Sequence, residues 1–539
     1  MSRISRNRTL ALAGVVLVPL FAGGFLFQSR AVRAGDQLLQ QVISLVSDRY
    51  VDTLDASQLY EKAARGLVKE LNDPYSELFS PKELKTFTTN TGGRYGGIGM
   101  QIEPQEGQIV ISTVFPNTPA EQAGVRVGDR IVQVDTLSTR GWSTQQVSDY
   151  LTGTPGTKVE VKFARPGVAS PIDVHFTRAV IHVPAVRYSI TFGAGGERVG
   201  YIPLDRFNET AASEVQDAVE SLTKQNVRGI ILDFRGNPGG ILDQSLAMSN
   251  LFLKDGQEIA SIRARNGESQ SYTAHGNPLL PTLPLVVLTD EYTASAAEIV
   301  AGALQDHDRA LIVGQTSFGK GLVQSVFNLD GGYALKLTTA KWYTPSGRSI
   351  QKERKFENGH FVETPVDSNE TEAVKKNRPA YKSDAGRVVY GGGGITPDVI
   401  VADDTLTTPE QHLAKAMAAK QQEVYTTLYD YSLELSKQVP KDFKVQPAWR
   451  AEFLHRLEAK GVTIDPKDYE ASARYIDRLL EQRVARFAFG DSTAKRRDLP
   501  FDSPLREAID LLDRGQSQKE LFALAQTVRQ STTAAAKKQ

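Results

Sequence analysis

Residues 286–304 read VVLTDEYTASAAEIVAGAL, and this stretch holds the transition that decides the fold. Its first residues form an aliphatic run typical of a buried strand, whereas its last residues are small and aliphatic, as in a buried helix. Ser295 lies at the junction, where a strand-to-helix turn exposes the serine hydroxyl beside the N–H of Ala296. The stretch therefore predicts a nucleophile. The residues alone leave one alternative open, in which Thr293 or Ser295 only caps the helix.

A second strand-to-helix turn lies upstream, in residues 229–240, which read GIILDFRGNPGG. A glycine-rich turn between a buried strand and a helix points backbone N–H groups outward, where they suit an anion or a developing oxyanion. The candidate donors are Gly239 or Gly240, together with Ala296. The alternative is an ordinary tight turn that binds no anion, which would have the same sequence. Strands and helices alternate from about residue 180 onward, which predicts a layered α/β domain over residues 180–401.

Lys320 follows in residues 314–324, GQTSFGKGLVQ, which match most of a phosphate-binding loop. The match ends at Gly321, where such a loop needs serine or threonine. The following residues are rich in β-branched and aromatic side chains, so they predict strands and not the helix that a nucleotide site requires. The apolar neighbours of Lys320 disfavour its charged form and would make it available as a base. The alternative is a surface lysine in a flexible loop.

Ser295 needs a base, and histidine does not supply an obvious one. His307 is the nearest histidine in sequence, but its polar surroundings predict an exposed helix end. A lysine held without charge can take the proton of a serine hydroxyl and return it to the leaving amine. The residues therefore favour a Ser295–Lys320 pair.

The composition narrows the function classes. The chain has 539 residues, enough for several domains, and its 63 basic residues balance its 63 acidic residues, so no nucleic-acid partner is expected. There are no cysteines, which excludes thiol catalysis, disulfides and cysteine-bound zinc. No HExxH motif or histidine–aspartate cluster has metal-ligand spacing, so neither a metal nor another cofactor is expected.

The amino terminus predicts export. Residues 9–27 carry no charge and follow Arg3, Arg6 and Arg8, which the positive-inside rule keeps in the cytoplasm. Residues 1–35 are therefore predicted to be a membrane anchor or signal segment. Residues 32–34 fit a cleavage site poorly, which favours an uncleaved anchor. The remaining chain would then face the periplasm from a bacterial inner membrane.

A helical region is predicted over residues 36–88 and a β-rich domain over residues 89–179. The β-rich domain resembles PDZ domains, because Gly97-Ile98-Gly99-Met100 matches their carboxylate-binding loop and residues 144–151 match their helix. That resemblance implies a partner with a free carboxyl terminus, bound by successive backbone N–H groups. The implied peptide-binding residues are Gly97, Ile98, Gly99, Met100, Val147 and Leu151.

The spacing of three residues resembles a known family. Lys320 follows Ser295 by 25 positions and Gln324 comes four positions later, as in the Ser-Lys-Gln arrangement of the carboxyl-terminal processing, or tail-specific, proteases. Four further motifs are similar: NDPYS at 72–76, LDFRGNPGG at 232–240, TTAKWYTPSGRSIQ at 338–351 and GGITPDV at 393–399. The resemblance implies a crotonase-like or ClpP-like α/β core in which Gln324 orients Lys320. Four steps of a strand span about 13 Å, so a direct contact requires a bend near Gly321.

The remaining segments are less informative. Residues 352–390 predict a polar insertion, residues 402–525 a helical extension and residues 526–539 a disordered tail. The helical regions are candidates for self-association or for binding an adaptor protein.

Together these features predict a multidomain α+β protein, with a PDZ domain before an α/β protease core and helical segments at both ends. The implied function is an exported serine endopeptidase that recognises apolar carboxyl-terminal tails and cleaves envelope proteins. Two alternatives remain: a non-catalytic, membrane-tethered PDZ scaffold, and an acyl-CoA enzyme with a crotonase-like fold.

Overall fold

The computed structural model describes residues 34–536, apart from residues 106, 194–197, 358–359, 364–376 and 403. The predicted membrane segment at residues 9–27 lies outside the described residues. None of the helices in the described part of the chain combines the length and apolar character that a membrane span requires. The chain divides into two compact units: residues 1–81 with 324–338, and residues 82–323 with 339–539.

The first unit contains the predicted helical region as far as residue 81. Its elements are a helix over residues 34–49, the helix Ala56–Lys69 and the strand Glu77–Phe79. That strand pairs antiparallel with the beginning of the strand Ala334–Tyr343. The Ser76 hydroxyl donates to Asp73 at 2.6 Å and accepts the N–H of Thr338 at 3.1 Å, so the motif NDPYS fixes this pairing.

The second unit begins with a small β domain. A helix, Pro81–Gly92, precedes it. Five strands form its main sheet in the order Met100–Gln105, Gln108–Val114, Arg130–Val134, Lys158–Ala164 and Ile172–Thr177, and the short strand Leu137–Ser138 pairs with the third of them. A separate ribbon joins Arg94–Gly97 to Ala179–His182. The helices are Pro119–Gln122 and Thr144–Leu151, and the second has the predicted bounds.

A six-stranded central sheet follows. Its strands lie in the order Ile190–Phe192, Val199–Pro203, Gly229–Asp233, Leu285–Thr289, Leu311–Gly314 and Val399–Ile400. The first pairing is antiparallel and the other four are parallel. Parallel strands are buried on both faces, which explains the uninterrupted aliphatic runs in the sequence. The predicted alternation of strands and helices is therefore present.

Helices cover both faces of this sheet. One hydrophobic core includes residues of the helices Ala211–Thr223, Leu242–Asn250 and Ala296–Asp306. A second core lies on the opposite face and is supplied by the carboxyl-terminal helices Ser503–Arg514 and Gln518–Ala536. The end of the helical extension is thus part of the α/β core. Its last helix runs through residues that were expected to be a disordered tail.

An antiparallel sheet and two hairpins complete the α/β region. The strands Glu258–Ala264 and Ser269–Thr273 pair with each other, and the first also pairs with residues 340–343. The strand Leu322–Asn328 pairs with the neighbouring strand Ala334–Tyr343. In the predicted polar insertion, Arg354–Glu357 pairs with His360–Glu363 and Ala380–Lys382 pairs with Val388–Tyr390.

The rest of the extension is helical, as predicted. Its helices are Thr408–Ala418, Gln421–Ser436, Pro447–Ala459, Pro466–Ala471, Ala473–Phe489 and Asp491–Asp498. The second of them contacts the small β domain. Tyr429 donates its hydroxyl hydrogen to the Ile111 carbonyl at 2.8 Å, and the Gln105 amide donates to Asp430 at 2.9 Å. The extension therefore holds the small β domain through one buried and one partly buried hydrogen bond.

A buried ion cluster ties the extension to the glycine-rich turn. The Arg235 guanidinium donates to the Asp233 carboxylate at 2.6 Å and to the Asp502 carboxylate at 2.7 and 2.9 Å. Lys495 donates to Asp502 at 2.6 Å, and Asp502 also accepts the N–H of Leu505 at the start of the helix Ser503–Arg514. Burial tends to raise the pKa of Asp502, but Arg235 and Lys495 together hold that pKa well below its usual range.

Asp502→Asn tests this cluster. Removing one partner of a buried ion pair typically costs about 3–5 kcal/mol, so the variant should unfold at a lower denaturant concentration near neutral pH. Because the folded pKa lies below the unfolded one, the carboxylate stabilises fully above about pH 4 and loses this effect as the pH falls further. Acidification should therefore narrow the difference between wild type and variant. Denaturation curves at about pH 7 and about pH 3 measure both effects.

The matched control is Asp510→Asn, on an exposed face of the same helix, which should change stability by about 0.5 kcal/mol or less. Equal stability of wild type and Asp502→Asn near neutral pH would contradict the structural role of the cluster.

Candidate active site

Ser295 lies at a sharp turn between the strand Leu285–Thr289 and the helix Ala296–Asp306. Its backbone has φ 55° and ψ −115°, a left-handed conformation that is rare outside glycine and costs about 1–3 kcal/mol. Ser295 is half-buried, and the buried Ala296 begins the helix directly after it. The predicted position of Ser295 between strand and helix is confirmed.

Hydrogen bonds from neighbouring segments hold this turn. The Thr293 hydroxyl donates to the Phe234 carbonyl at 2.9 Å and accepts the N–H of Asp290 at 3.0 Å. The Asp290 carboxylate in turn accepts the N–H of Gly236. Thr293 therefore joins the ends of two adjacent strands and is not the residue that caps the helix.

The glycine-rich turn packs directly against Ser295. A Cβ atom on Gly239 would lie 2.7 Å from the Ala294 carbonyl oxygen, 2.8 Å from the Ser295 Cβ and 2.9 Å from the Ala296 nitrogen. Gly239 also has φ 92°, so no other residue fits this position. The two strand-to-helix turns singled out in the sequence thus meet at one place.

The backbone donors at this place differ in their partners. The Gly239 N–H donates to the side-chain oxygen of Asn237 at 2.8 Å. Within the described residues, no protein atom accepts the N–H of Gly240 or of Ala296. Gly240 forms a parallel bridge with Phe207, in which the neighbours of Gly240 make both hydrogen bonds, so its own N–H points away from Phe207.

Glu298 connects the serine turn to the lysine loop. Its Oε2 accepts the N–H of Ser295 at 2.8 Å and the N–H of Lys320 at 2.9 Å. Its Oε1 accepts the N–H of Gly319 at 2.7 Å and the hydroxyl of Ser317 at 2.5 Å. Because Ser295 and Lys320 share one carboxylate oxygen, their backbone nitrogens cannot be farther apart than those two bonds together.

The Glu298 side chain is completely buried. Burial raises the pKa of its carboxyl group, and the hydrogen bonds from Ser317, Lys320, Gly319 and Ser295 oppose that shift. A carboxylate with two oxygens can accept four such bonds, whereas an amide would turn donors toward donors. The geometry therefore suits the charged carboxylate.

The motif GGITPDV supports the same loop. The Ser317 hydroxyl accepts the N–H of Ile395 at 2.7 Å, and the Ser317 N–H donates to the Ile395 carbonyl at 3.1 Å. A Cβ atom on Gly394 would lie 2.2 Å from the Ser317 carbonyl oxygen. The glycines of this motif allow the two segments to approach closely.

Lys320 is half-buried and precedes the strand Leu322–Asn328. Its carbonyl accepts the indole N–H of Trp342 at 3.0 Å, and the Gly321 N–H donates to the side chain of Gln351 at 2.9 Å. The motif TTAKWYTPSGRSIQ therefore positions the lysine backbone. The prediction that a strand follows Gly321 is confirmed, which removes the helix that a phosphate-binding loop requires.

Gln324 belongs to the first compact unit. Its side-chain amide donates to the Thr338 hydroxyl at 3.2 Å, and the Thr338 N–H donates to the Ser76 hydroxyl at 3.1 Å. Thr338 therefore connects Ser76 of the motif NDPYS to Gln324 through two hydrogen bonds.

His307 was predicted at an exposed helix end, and this prediction is wrong. The imidazole is only 8% exposed, because the loop around Asp384 covers it. Its nitrogens lie 2.7 Å from the Asp384 carboxylate and 2.7 Å from the Glu258 carbonyl. His307 lies at the end of the helix that Ser295 begins, about 18 Å away at 1.5 Å per residue. It is therefore not placed to act on Ser295.

A cleft of about 170 Å³ lies at the predicted carboxylate-binding loop of the small β domain. Of the six predicted peptide-binding residues, Ile98, Gly99, Met100 and Leu151 line it. Gly97 and Val147 do not, because Gly97 lies in the ribbon strand that pairs with Ala179 and Val147 is fully buried in the domain core. The sequence reasoning missed six other lining residues, which are Thr89, Asn90, Tyr95, Ile102, Ser148 and Thr152.

The sequence reasoning also missed Glu298, Asn237 and Thr338. Only Glu298 had a local signal, since serine followed three positions later by glutamate is a capping-box pattern. Within the described parts of the chain, no group of histidine, aspartate and glutamate side chains could hold a metal ion.

Comparison with known families identifies three regions. The profile of peptidase family S41 matches residues 198–359, a PDZ domain profile matches residues 110–165, and the profile described as "Activating protease CtpB N-terminal domain" matches residues 29–82. The first region contains four of the six strands of the central sheet and both turns, the second lies within the small β domain, and the third contains the amino-terminal helices.

Individual proteins give the same result. The chain is 37% identical over 317 residues to the carboxy-terminal processing protease CtpA of Bacillus subtilis, a match that covers 59% of this chain and 66% of that protein, just under two thirds. It is 33% identical over 362 residues to the carboxyl-terminal-processing protease of Picosynechococcus, covering 63% of this chain and 86% of the relative.

Among solved structures, the photosystem II D1 C-terminal processing protease is 32% identical, with a TM-score of 0.35, over 60% of this chain and 86% of that one. From the family profiles and from the match across most of the Picosynechococcus protein, the chain belongs to the PDZ-containing carboxy-terminal processing proteases of peptidase family S41.

Proposed function

We propose that the protein is a serine endopeptidase that uses a Ser295–Lys320 pair on a crotonase-like or ClpP-like core. The observation that carries this proposal is the shared carboxylate oxygen of Glu298, which accepts the backbone N–H of both residues. If Ser295 or Lys320 had only a structural role, there would be no reason for one buried carboxylate oxygen to hold both residues.

The proposed reaction proceeds through an acyl-enzyme. The Ser295 oxygen bonds to the peptide carbonyl carbon while its proton passes to the neutral amine of Lys320. The C–N bond then breaks and the lysine returns the proton to the leaving amine. Water hydrolyses the ester by the same proton transfers. Gln324 is the proposed residue that orients Lys320.

Ala296 with Gly240 is the proposed oxyanion hole. Both N–H groups are without a protein acceptor in the described residues, whereas the N–H of Gly239 is engaged by Asn237. Donors that are already oriented and unoccupied stabilise developing charge without reorganisation. Gly239 has a different role, because the absence of a side chain at this position leaves space for Ser295 and Ala296.

Replacement of the two reacting residues tests the enzyme. Ser295→Ala and Lys320→Arg should each lower kcat on an unfolded protein substrate about 10³-fold or more, the second because arginine stays protonated near neutral pH. Lys254→Arg, at an exposed position, is the matched control and should cleave normally. If the wild-type protein does not cleave the substrate, the scaffold alternative is favoured. If Lys320→Arg cleaves at a near-normal rate, the lysine is not part of the mechanism.

Glu298→Gln tests the carboxylate clamp. The amide nitrogen would face either Ser295 and Lys320 or Ser317 and Gly319, and would displace that pair of donors. A displacement of about 1 Å can cost about 10²-fold in rate, so kcat should fall by that order while KM changes little. Glu268→Gln, on an exposed hairpin, controls for loss of a negative charge. A variant with wild-type kcat would show that the clamp does not position the reacting residues.

We further propose that the PDZ domain recognises the carboxyl-terminal tail of each substrate. Support comes from the cleft beside Ile98, Gly99 and Met100, whose walls are apolar at Leu151 and Ile102. A free carboxylate would accept loop N–H groups, and the last apolar side chain would enter the cleft. Tail binding would favour the arrangement in which the serine site accepts substrate.

Tail recognition predicts a difference between two forms of one substrate. A substrate with a free carboxyl terminus should be cleaved about 10-fold or more faster, at concentrations below KM, than the same substrate amidated there, because charge-assisted hydrogen bonds are worth about 1.5–3 kcal/mol. A substrate with an aspartate as its last residue controls for the apolar contact and should also be slow. Equal rates for all three would overturn the proposal. Changing the substrate is cleaner than changing Gly99, where a Cβ atom would lie 2.3 Å from Thr118.

The proposed location is the periplasmic side of a bacterial inner membrane, with envelope proteins as substrates. This rests on the uncharged residues 9–27 and the preceding arginines, which lie outside the described structure. The helical regions are the proposed sites for self-association or for an adaptor. Fractionation of cells producing the full chain tests the location, since a cytosolic product would contradict it.

A further inference from the structure

Asn237 is a fully buried polar residue at the beginning of the glycine-rich turn. Its side-chain amide donates to the Leu204 carbonyl at 2.7 Å, and its side-chain oxygen accepts the Gly239 N–H at 2.8 Å. Its backbone carbonyl accepts the N–H of Ala294 at 2.9 Å. Asn237 therefore joins three segments: the end of the strand Val199–Pro203, the glycine-rich turn and the serine turn.

Only one orientation of the Asn237 amide makes both side-chain bonds. The Gly239 N–H is a donor and must face the amide oxygen, whereas the Leu204 carbonyl is an acceptor and must face the amide nitrogen. An aspartate would place a second acceptor against the Leu204 carbonyl, and a leucine of similar shape would bond neither group. The position thus uses the donor and the acceptor of one short amide side chain.

These bonds set the direction of the neighbouring N–H of Gly240. The Gly239 N–H is held by Asn237, and the Gly239 carbonyl accepts the Phe207 N–H at 3.0 Å. The Gly239 carbonyl and the Gly240 N–H belong to one planar trans peptide unit, so they point in opposite directions. Anchoring Gly239 on both sides therefore aims the Gly240 N–H, which has no protein acceptor in the part of the chain that the structure describes.

Asn237 also reaches the second proposed oxyanion donor, the N–H of Ala296. Ala294 donates to the Asn237 carbonyl and lies two residues before Ala296. A Cβ atom on Gly239 would lie 2.9 Å from the Ala296 nitrogen, so the two turns touch at this point. A displacement of Asn237 would therefore change the position of one donor relative to the other.

We propose that Asn237 is a positioning residue that fixes the separation and the direction of the two oxyanion donors, Gly240 and Ala296. Because Asn237 is fully buried, it acts through the backbone that it holds and not by touching substrate. Such donors stabilise developing charge best when they already point to its position. The inference rests on the proposed serine-protease mechanism.

Asn237→Leu and Asn237→Ala test this role. Leucine keeps the shape and removes both side-chain bonds, whereas alanine leaves space in which a water molecule can bond both groups. Removing one oxyanion donor lowers kcat about 10²- to 10³-fold, so a misdirected donor should lower the kcat of Asn237→Leu about 10- to 10²-fold. The loss for Asn237→Ala should be smaller. KM should change less than about 3-fold in both variants, because the interaction develops in the transition state.

The inhibition constant Ki of a peptide aldehyde separates this role from a loss of stability. The Ser295 oxygen bonds to the aldehyde carbon while its proton passes to Lys320, and the aldehyde oxygen becomes an oxyanion in the hole, as in the transition state. Ki should therefore rise by about the same factor by which kcat/KM falls. A smaller folded fraction would lower the measured rate but leave Ki and KM unchanged, because both constants refer to the folded molecules.

Asn277→Leu and Asn277→Ala are the matched controls at an exposed loop position, and they should keep the wild-type kcat, KM and Ki. A wild-type Ki in both Asn237 variants would overturn the inference, whether or not the rate falls. A raised KM with wild-type kcat would also overturn it, because Asn237 would then serve substrate binding.

The variant Ser295→Ala separates this inference from the proposed function. If Ser295→Ala cleaves like the wild type, the proposed mechanism fails and the role of Asn237 fails with it. If Ser295→Ala is inactive but the Asn237 variants keep the wild-type kcat and Ki, the mechanism stands and only the positioning role is wrong.

Discussion

The buried carboxylate of Glu298 is the interaction on which the site depends. Its four hydrogen bonds come from the serine turn and from the loop that carries Lys320, two segments that follow the adjacent parallel strands Leu285–Thr289 and Leu311–Gly314. A buried carboxylate without such partners would cost several kcal/mol. The folded chain therefore strongly favours the one arrangement in which both segments face it, and this arrangement brings Ser295 and Lys320 together.

Hydrogen bonds around the turn also offset the strained backbone of Ser295. A left-handed non-glycine residue costs about 1–3 kcal/mol, and a typical buried hydrogen bond contributes about 0.5–1.5 kcal/mol. Thr293, Asp290 and Glu298 together make several such bonds around the turn. Four such bonds contribute about 2–6 kcal/mol, which is of the size needed to offset the strain. Gly239 contributes by absence of a side chain, because any Cβ there would collide with Ser295.

The sequence predicted most elements of the α/β region because buried parallel strands leave unbroken aliphatic runs and Ser295 lies between strand and helix. It did not predict contacts that depend on distant segments. Val147 has the right helical position for the cleft but points into the core, and His307 is covered by a hairpin distant in sequence. Glu298 carried a local capping pattern, yet its role comes from the Lys320 loop, which periodicity cannot place.

The carboxyl-terminal extension contacts both the PDZ domain and the glycine-rich turn beside Ser295. Asp502 bonds Arg235 at the start of the glycine-rich turn, and Tyr429 of the same extension bonds Ile111 in the PDZ domain. The Tyr429 contact is buried and the Asp502 contact is largely shielded from water, so water replaces these bonds only when the interface opens. A movement of the PDZ domain relative to the serine site must therefore either break the Tyr429 contact or carry the helix Gln421–Ser436 with it. Residues 402–536 are thus a structural connection between the two sites and not an appended domain.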